Sequence, residues 1–278
     1  MKSRRLIGIS LLLLSSLSIT GCDWPWNTKP AEEQKITPAK NDSKSKYDLT
    51  EYYSPITNQD GDNLLSALHS IINTSDVSVS YAWSRYEAAD EDPNDKYNVI
   101  TIYARTSMSK SNHVSGTKGW NREHTFPKSK LPNEQSKEDN HIIFASDNQI
   151  NEQRSSYKMG VLTTGSTLKD SNGNDTTCRL GKVFDPNNEA RGIVARSTMY
   201  AAAMYDCTPT DNFESIETLI NWHLAYQVKQ TDMDRNDIVY GNQHNRNPFV
   251  DHPEYACKIW GSTSPTTMNA CKQAGYTY

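Results

Sequence analysis

The stretch from Trp120 to Tyr157 constrains the fold of this chain more than any other. Trp120 to Phe126 reads as a strand stopped by Pro127, which has no N–H to give to a sheet ladder. A loop from Lys128 to Glu138 and the short apolar run His141 to Ala145 come next. Asp147 then stands where it can cap a helix running through Asn148, Gln149, Ile150 and Asn151 to about Tyr157. Upstream, Leu64, Leu65, Leu68, Ile71 and Ile72 recur at helical spacing between Asp62 and Asn73, with Asp60 and Asp62 at the N-terminal end. Tyr97 to Ala104 alternates and is rich in Val, Ile, Thr and Tyr, which predicts a strand. Downstream, the Gly-, Thr- and Asn-rich stretch 160–185 predicts surface excursions or a hairpin. Helices are expected at Glu189 to Tyr205 and at Glu214 to Val228, the second with Ile216, Leu219, Ile220 and Leu224 on one face. There is no internal repeat, and only 35% of residues are hydrophobic, so the fold class is α+β: one mixed, loop-rich domain.

The N-terminus carries a different signal. Lys2, Arg4 and Arg5 precede the apolar run Leu6 to Leu17, and Thr20-Gly21-Cys22 follows. A charged start, a dozen or so apolar residues and small residues before a cysteine make an export signal, too short to span a bilayer comfortably. The Thr20-Gly21-Cys22 ending resembles a bacterial lipobox, which implies a lipoprotein signal over residues 1–22, lipid on the Cys22 thiol and a protein held at the membrane outside the cytoplasm. Residues 23–46 are polar and aperiodic and read as a flexible stalk, with the globular domain spanning 47–278. In that oxidising setting Cys178, Cys207, Cys257 and Cys271 can form two disulfides in three connectivities. Proximity in sequence favours Cys178 with Cys207 and Cys257 with Cys271.

Without Lys2, Arg4 and Arg5, the 29 basic residues fall to 26 against 33 acidic ones, a formal charge of −7. A polyanionic ligand gains nothing from that global field and needs a bound cation and a local Arg/Lys cluster. The residues with hydrolytic chemistry sit in the constraining stretch. Glu123-His124 places a carboxylate beside an imidazole, and adjacent side chains on a strand serve one site only if the backbone bends there, as Pro127 would allow. Asn151 and Arg154 are three apart on the predicted helix and share a face, so an amide oxygen and a guanidinium can be presented together. One carboxylate and one amide are the hard donors that Mg²⁺ takes, with Mn²⁺ or Ca²⁺ as alternatives. Arg196, among Ile193, Val194, Met199 and Tyr200, must find water, an acid or a phosphate. His141 is a candidate for orienting the site or for packing, and His223, His244 and His252 for bracing it. No His-Glu-x-x-His helix, helix-turn-helix or zinc finger is present, which argues against a metallopeptidase and against sequence-specific readout.

These blocks together resemble the bacterial endonuclease I family of periplasmic and extracellular nucleases. The resemblance runs through Glu123-His124-Thr125-Phe126-Pro127, Asp139 to Ile143 and Asp147 to Ser155. It continues in Arg191 to Arg196, Trp222-His223 and Asn245 to Asp251, covering roughly Leu64 to Trp260. It implies a ββα-metal (His-Me finger) centre with surrounding helices. His124 would be the general base, Glu123 and Asn151 the metal ligands, and Arg154 and Arg196 would bind the scissile phosphate or product. The activity implied is Mg²⁺-dependent endonucleolytic hydrolysis of DNA or RNA without strong sequence specificity, by a monomer. The chain departs from the family pattern at Phe126, where a Trp is common, and at Ile142 and Ala145, where Asn and Pro are common. A protein that bound nucleic acid without cutting it would have no need of Glu123, His124 and Asn151 together.

Overall fold

The computed structural model describes residues 35–39, 42–113 and 118–278. The expected lipoprotein signal at 1–22, with Cys22, and the greater part of the expected stalk lie outside the described residues. Helix α1 (Gly61–Ile72) forms where the spacing predicts it, and Leu64, Leu68 and Ile72 turn into the main core. Helix α2 (Trp83–Ala89) then leads into a three-stranded antiparallel sheet of β1 (Glu91–Asp92), β2 (Asp95–Ile100) and β3 (Ser107–Ser109). The strand expected at Tyr97 to Ala104 ends early because the chain reverses there. Thr101 donates its N–H to the Thr106 carbonyl at 2.9 Å, and Arg105 takes a left-handed φ of 58°.

Strands β4 (Trp120–His124) and β5 (Ile143–Asp147) pair antiparallel in unbroken register, Trp120 opposite Asp147 and His124 opposite Ile143. Helix α3 (Asn148–Arg154) follows β5 directly. The expected hairpin in 160–185 is a small antiparallel sheet of β6 (Ser166–Lys169), β7 (Asp175–Leu180) and β8 (Phe184–Asp185). Helix α4 (Asn188–Tyr205) runs through the centre and is buried on nearly every face. Small residues at Ala195, Ala201, Ala202 and Ala203 let its neighbours approach closely, and the buried Arg191, Arg196, Ser197 and Thr198 find polar partners inside. Around it pack α5 (Ile216–Ala225), α6 (Gln230–Gln243), α7 (Pro248–Asp251), α8 (Tyr255–Trp260) and α9 (Pro265–Ala274). Antiparallel sheets beside a helical core give the α+β class.

Two expectations are corrected here. The disulfide Cys257–Cys271 forms and ties α8 to α9, but Cys178 and Cys207 are both free buried thiols. Cys178 sits on β7 with its Sγ 3.2 Å from the Tyr103 carbonyl, while Cys207 follows the end of α4, so each is held by its own element. Nearness in sequence did not bring them together. The second concerns the stalk. Its C-terminal part lies against the domain: the Ala39 N–H donates to the Ala274 carbonyl at 3.2 Å, and Ile36 packs on the core. Ser45 Oγ and the Lys46 N–H donate to the two oxygens of Asp237 at 2.6 and 2.7 Å. Among the described residues no helix is long and apolar enough to cross a membrane.

Candidate active site

The site is built on β4, β5 and α3. Asp147 ends β5 and caps α3, its Oδ1 accepting the N–H groups of Gln149 at 3.0 Å and Ile150 at 3.1 Å. That places the first turn of the helix against the sheet, where a side-chain cap supports a short helix by about 1 kcal/mol. The helix stops at Ser155, which has a φ of 49°, short of the expected Tyr157. Alternation along β4 sorts the side chains into two faces. Asn121 and Glu123 point to α3 and Tyr103, and Trp120, Arg122 and His124 point to the side where Tyr81 and Trp83 lie. The bend expected at the Glu123-His124 pair is absent, since the register is regular through His124. The carboxylate and the imidazole therefore leave opposite faces at the end of the strand. Apart from an isolated bridge between His113 and Trp120, β4 pairs only with β5 among the described residues, and at its end the His124 carbonyl accepts from Arg154 Nη1.

On the α3 face, the Asn151 amide nitrogen donates to Asn121 Oδ1 at 2.7 Å, and Asn121 in turn donates to Asn148 Oδ1. This chain of amides fixes which end of Asn151 points where: its nitrogen is committed, so Oδ1 is the free acceptor. Glu123 is buried, and its Oε1 accepts from the Tyr103 hydroxyl at 2.6 Å and from Arg154 Nη1 at 3.0 Å. Both donors land on Oε1, which leaves Oε2 for a cation. Burial pushes the Glu123 carboxyl up, against the lowering pull of Arg154 and of the Tyr103 hydrogen bond. Tyr103 itself is pushed well above its ordinary value by burial, so its hydroxyl remains a donor. Among the described residues no group of three or more His, Cys, Asp or Glu side chains could hold a metal. One carboxylate oxygen and one amide oxygen, both hard, instead suit a cation that keeps most of its water.

On the other face, His124 Nε2 lies 2.8 Å from the Lys137 carbonyl. A carbonyl only accepts, so the proton is on Nε2 and the lone pair on Nδ1. Burial lowers the His124 pKa to about 4, assisted by the positive charges of Lys128, Arg154 and Arg122, so the ring is neutral at neutral pH with its Nδ1 lone pair unprotonated.

The arginines expected at the phosphate are placed differently. Arg154 is buried, and its Nη1 and Nη2 donate to Glu123, to the carbonyls of His124 and Thr125 at 3.1 and 2.9 Å, and to Asn212 Oδ1 at 2.8 Å. Arg196 is buried as well, donating to the Tyr226 carbonyl and pairing with Asp232 at 2.8 Å. The Nη atoms of both guanidinium groups are engaged inside the protein, while Nε of each has no hydrogen-bond partner among the described residues. His141 is buried against Tyr200 with Nε2 on the Asn245 carbonyl, and His223 Nε2 meets the Pro253 carbonyl at 2.8 Å. These two brace the fold away from the reacting groups, while His244 and His252 contact Asp76 and Glu254 near the surface. Sequence reasoning missed Tyr103 and Lys137. Lys137 serves through its backbone, which no side-chain pattern reports, and Tyr103 sits in a turn that was read as strand.

Asn121, Glu123, His124 and Asn151 thus stand on one strand-strand-helix unit, with a carbonyl-tethered neutral imidazole beside a buried carboxylate. The chain matches the Endonuclease I family over residues 56–254 and belongs to it, which makes it a phosphodiester-hydrolysing nuclease. It is 32% identical over 235 residues to the extracellular ribonuclease of Bacillus subtilis (strain 168), covering 77% of this chain and 79% of that protein. It is likewise 32% identical over 239 residues to the extracellular ribonuclease of Bacillus amyloliquefaciens, with the same coverage.

Proposed function

We propose that the protein is an extracytoplasmic, divalent-cation-dependent endonuclease that cleaves RNA, DNA or both without strong sequence preference. His124 acts as general base, and Glu123 and Asn151 hold the cation in a ββα-metal centre. The observation that carries this is the commitment of His124 Nε2 to the Lys137 carbonyl, which leaves the Nδ1 lone pair as the atom that can accept a proton. Nδ1 takes the proton of the attacking water, and the Nε2–H bond to Lys137 holds the ring in place and strengthens as the ring becomes positive. Glu123, through Oε2, and Asn151, through Oδ1, would hold the divalent cation. When bound, such a cation neutralises charge on the phosphate and stabilises the departing 3′ oxygen. Arg154 keeps Glu123 ionised and in place, a role for which its burial suits it. The names of the two relatives support RNA as a substrate and an extracellular setting. Lipid on Cys22, and so a membrane-held monomer, is part of the same reading; mass spectrometry of the N-terminal peptide of the exported protein tests it.

The decisive experiment is incubation of the purified domain with plasmid, single-stranded DNA and RNA, with and without chelator. Cleavage is expected to stop on chelation and to return with Mg²⁺. His124→Ala is expected to lose roughly 10²- to 10⁴-fold in rate while still binding substrate. Normal cleavage by that variant, or indifference to chelator, refutes the assignment.

A further inference from the structure

The buried arginines of this domain meet carboxylates, Arg154 with Glu123, Arg191 with Asp185, Arg196 with Asp232, and Arg246 with Asp237 and Asp251, and so does the half-buried Arg235, with Asp90. Arg122 meets none among the described residues. Its guanidinium instead lies over two aromatic rings, with its central carbon 3.5 Å from the Tyr81 centroid and 3.9 Å from that of Trp83. Nη1 donates to the Tyr81 carbonyl, and the far side of Trp83 is backed by His113, stacked at 4.3 Å. A guanidinium stacked on rings is held in its plane by cation–π attraction while its in-plane N–H edge stays available. That edge is the part that binds a phosphate through two parallel hydrogen bonds.

Position completes the case. Arg122 is two residues from His124 on β4, on the same face, a separation of roughly 7 Å along a strand. The Tyr81 ring that supports Arg122 has its centroid 6.1 Å from the His124 ring. In an acidic protein whose other arginines near the centre are neutralised internally, Arg122 is an oriented cation without a counter-ion among the described residues, beside the base.

We propose that Arg122 is the phosphate-binding arginine of the nuclease, with Tyr81 and Trp83 fixing its plane so that its guanidinium edge receives a substrate phosphate next to His124. This rests on the nuclease reading above. The test is equilibrium binding of a fluorescently labelled single-stranded oligonucleotide, RNA and DNA in turn, to His124→Ala protein in Mg²⁺ over a salt series, with cleavage by the wild type run in parallel. Adding Arg122→Gln is expected to weaken binding about tenfold or more at low salt. It is also expected to reduce the slope of log K against log salt by about 0.7, the share of one phosphate on a single strand. Arg122→Lys keeps the charge and so the slope, but loses several-fold in affinity because an ammonium cannot make the paired contact. Unchanged affinity in either variant overturns the proposal, as does an affinity loss in Arg122→Gln with an unchanged slope, which would mark a purely structural role. If Arg122→Gln does not fold, Arg122→Lys decides alone by its affinity. Failure of the wild type to cut any nucleic acid defeats the nuclease reading itself, whereas normal cutting with an unmoved Arg122→Gln defeats only this inference.

Discussion

Replacing Arg154 with Met separates the two roles open to that arginine. The guanidinium makes four hydrogen bonds to internal acceptors, to Glu123 Oε1, the His124 and Thr125 carbonyls and Asn212 Oδ1, at 2.8–3.1 Å. Arg154→Met keeps much of the stem volume but leaves a buried carboxylate without its counter-ion and three more acceptors without a donor. Removing one partner of a buried pair costs about 3–5 kcal/mol. Each stranded acceptor that water fails to reach adds about 1–3 kcal/mol. The total thus falls at or above the top of the first range. For a domain of this size that corresponds to a melting temperature lower by roughly 10–20 °C. Urea unfolding followed by tryptophan fluorescence, beside a calorimetric scan, measures both without substrate present. Burial already pushes Glu123 up, so loss of Arg154 also favours its protonated form and weakens cation binding. A stability change below about 1 kcal/mol, accompanied by a higher KM and a shallower salt dependence, would refute the reasoning and return Arg154 to the substrate.

Other outcomes follow from the same structure. Burial lowers His141 to about 4 and His223 to about 3, so the folded state favours their neutral forms. Their contribution is full above the ordinary histidine value near 6.5 and is lost as pH falls below it, by up to ~1.4 kcal/mol per pH unit for each. Urea midpoints should drop steeply between pH 6.5 and 4, and a flat profile contradicts the burial of these rings. Replacing Cys257 and Cys271 together by Ala opens the bridge across a sequence separation of 14 and should cost about 3 kcal/mol by chain entropy, read as a lower urea midpoint. Cys178 and Cys207, raised to about 11 and about 12 by burial, should resist a thiol reagent in the native protein and react on unfolding. A domain begun at Tyr47 should be less stable than one begun at Lys35, because it loses the Ser45 and Lys46 bonds to Asp237 and the packing of Ile36. Equal melting temperatures would show that this segment contributes nothing.

What the sequence determined by itself was local. The spacing of Leu64, Leu68 and Ile72, the strand at Trp120 and the Asp147 cap before Asn151 are written in neighbouring residues, because helix and strand periodicity and capping act over a few positions. That Glu123-His124 and Asn151 fall on one strand and the helix after its partner was legible for the same reason. Tertiary structure decided whatever depended on partners far along the chain. It assigned Arg154 to Glu123 and Asn212 and Arg196 to Asp232, set the His124 tautomer through the Lys137 carbonyl, and kept Cys178 apart from Cys207. A guanidinium binds a carboxylate or a phosphate equally well, so its type and spacing cannot say which one it meets. Burial and the position of the opposing acid do, and for Arg122 they leave aromatic faces in place of an acid.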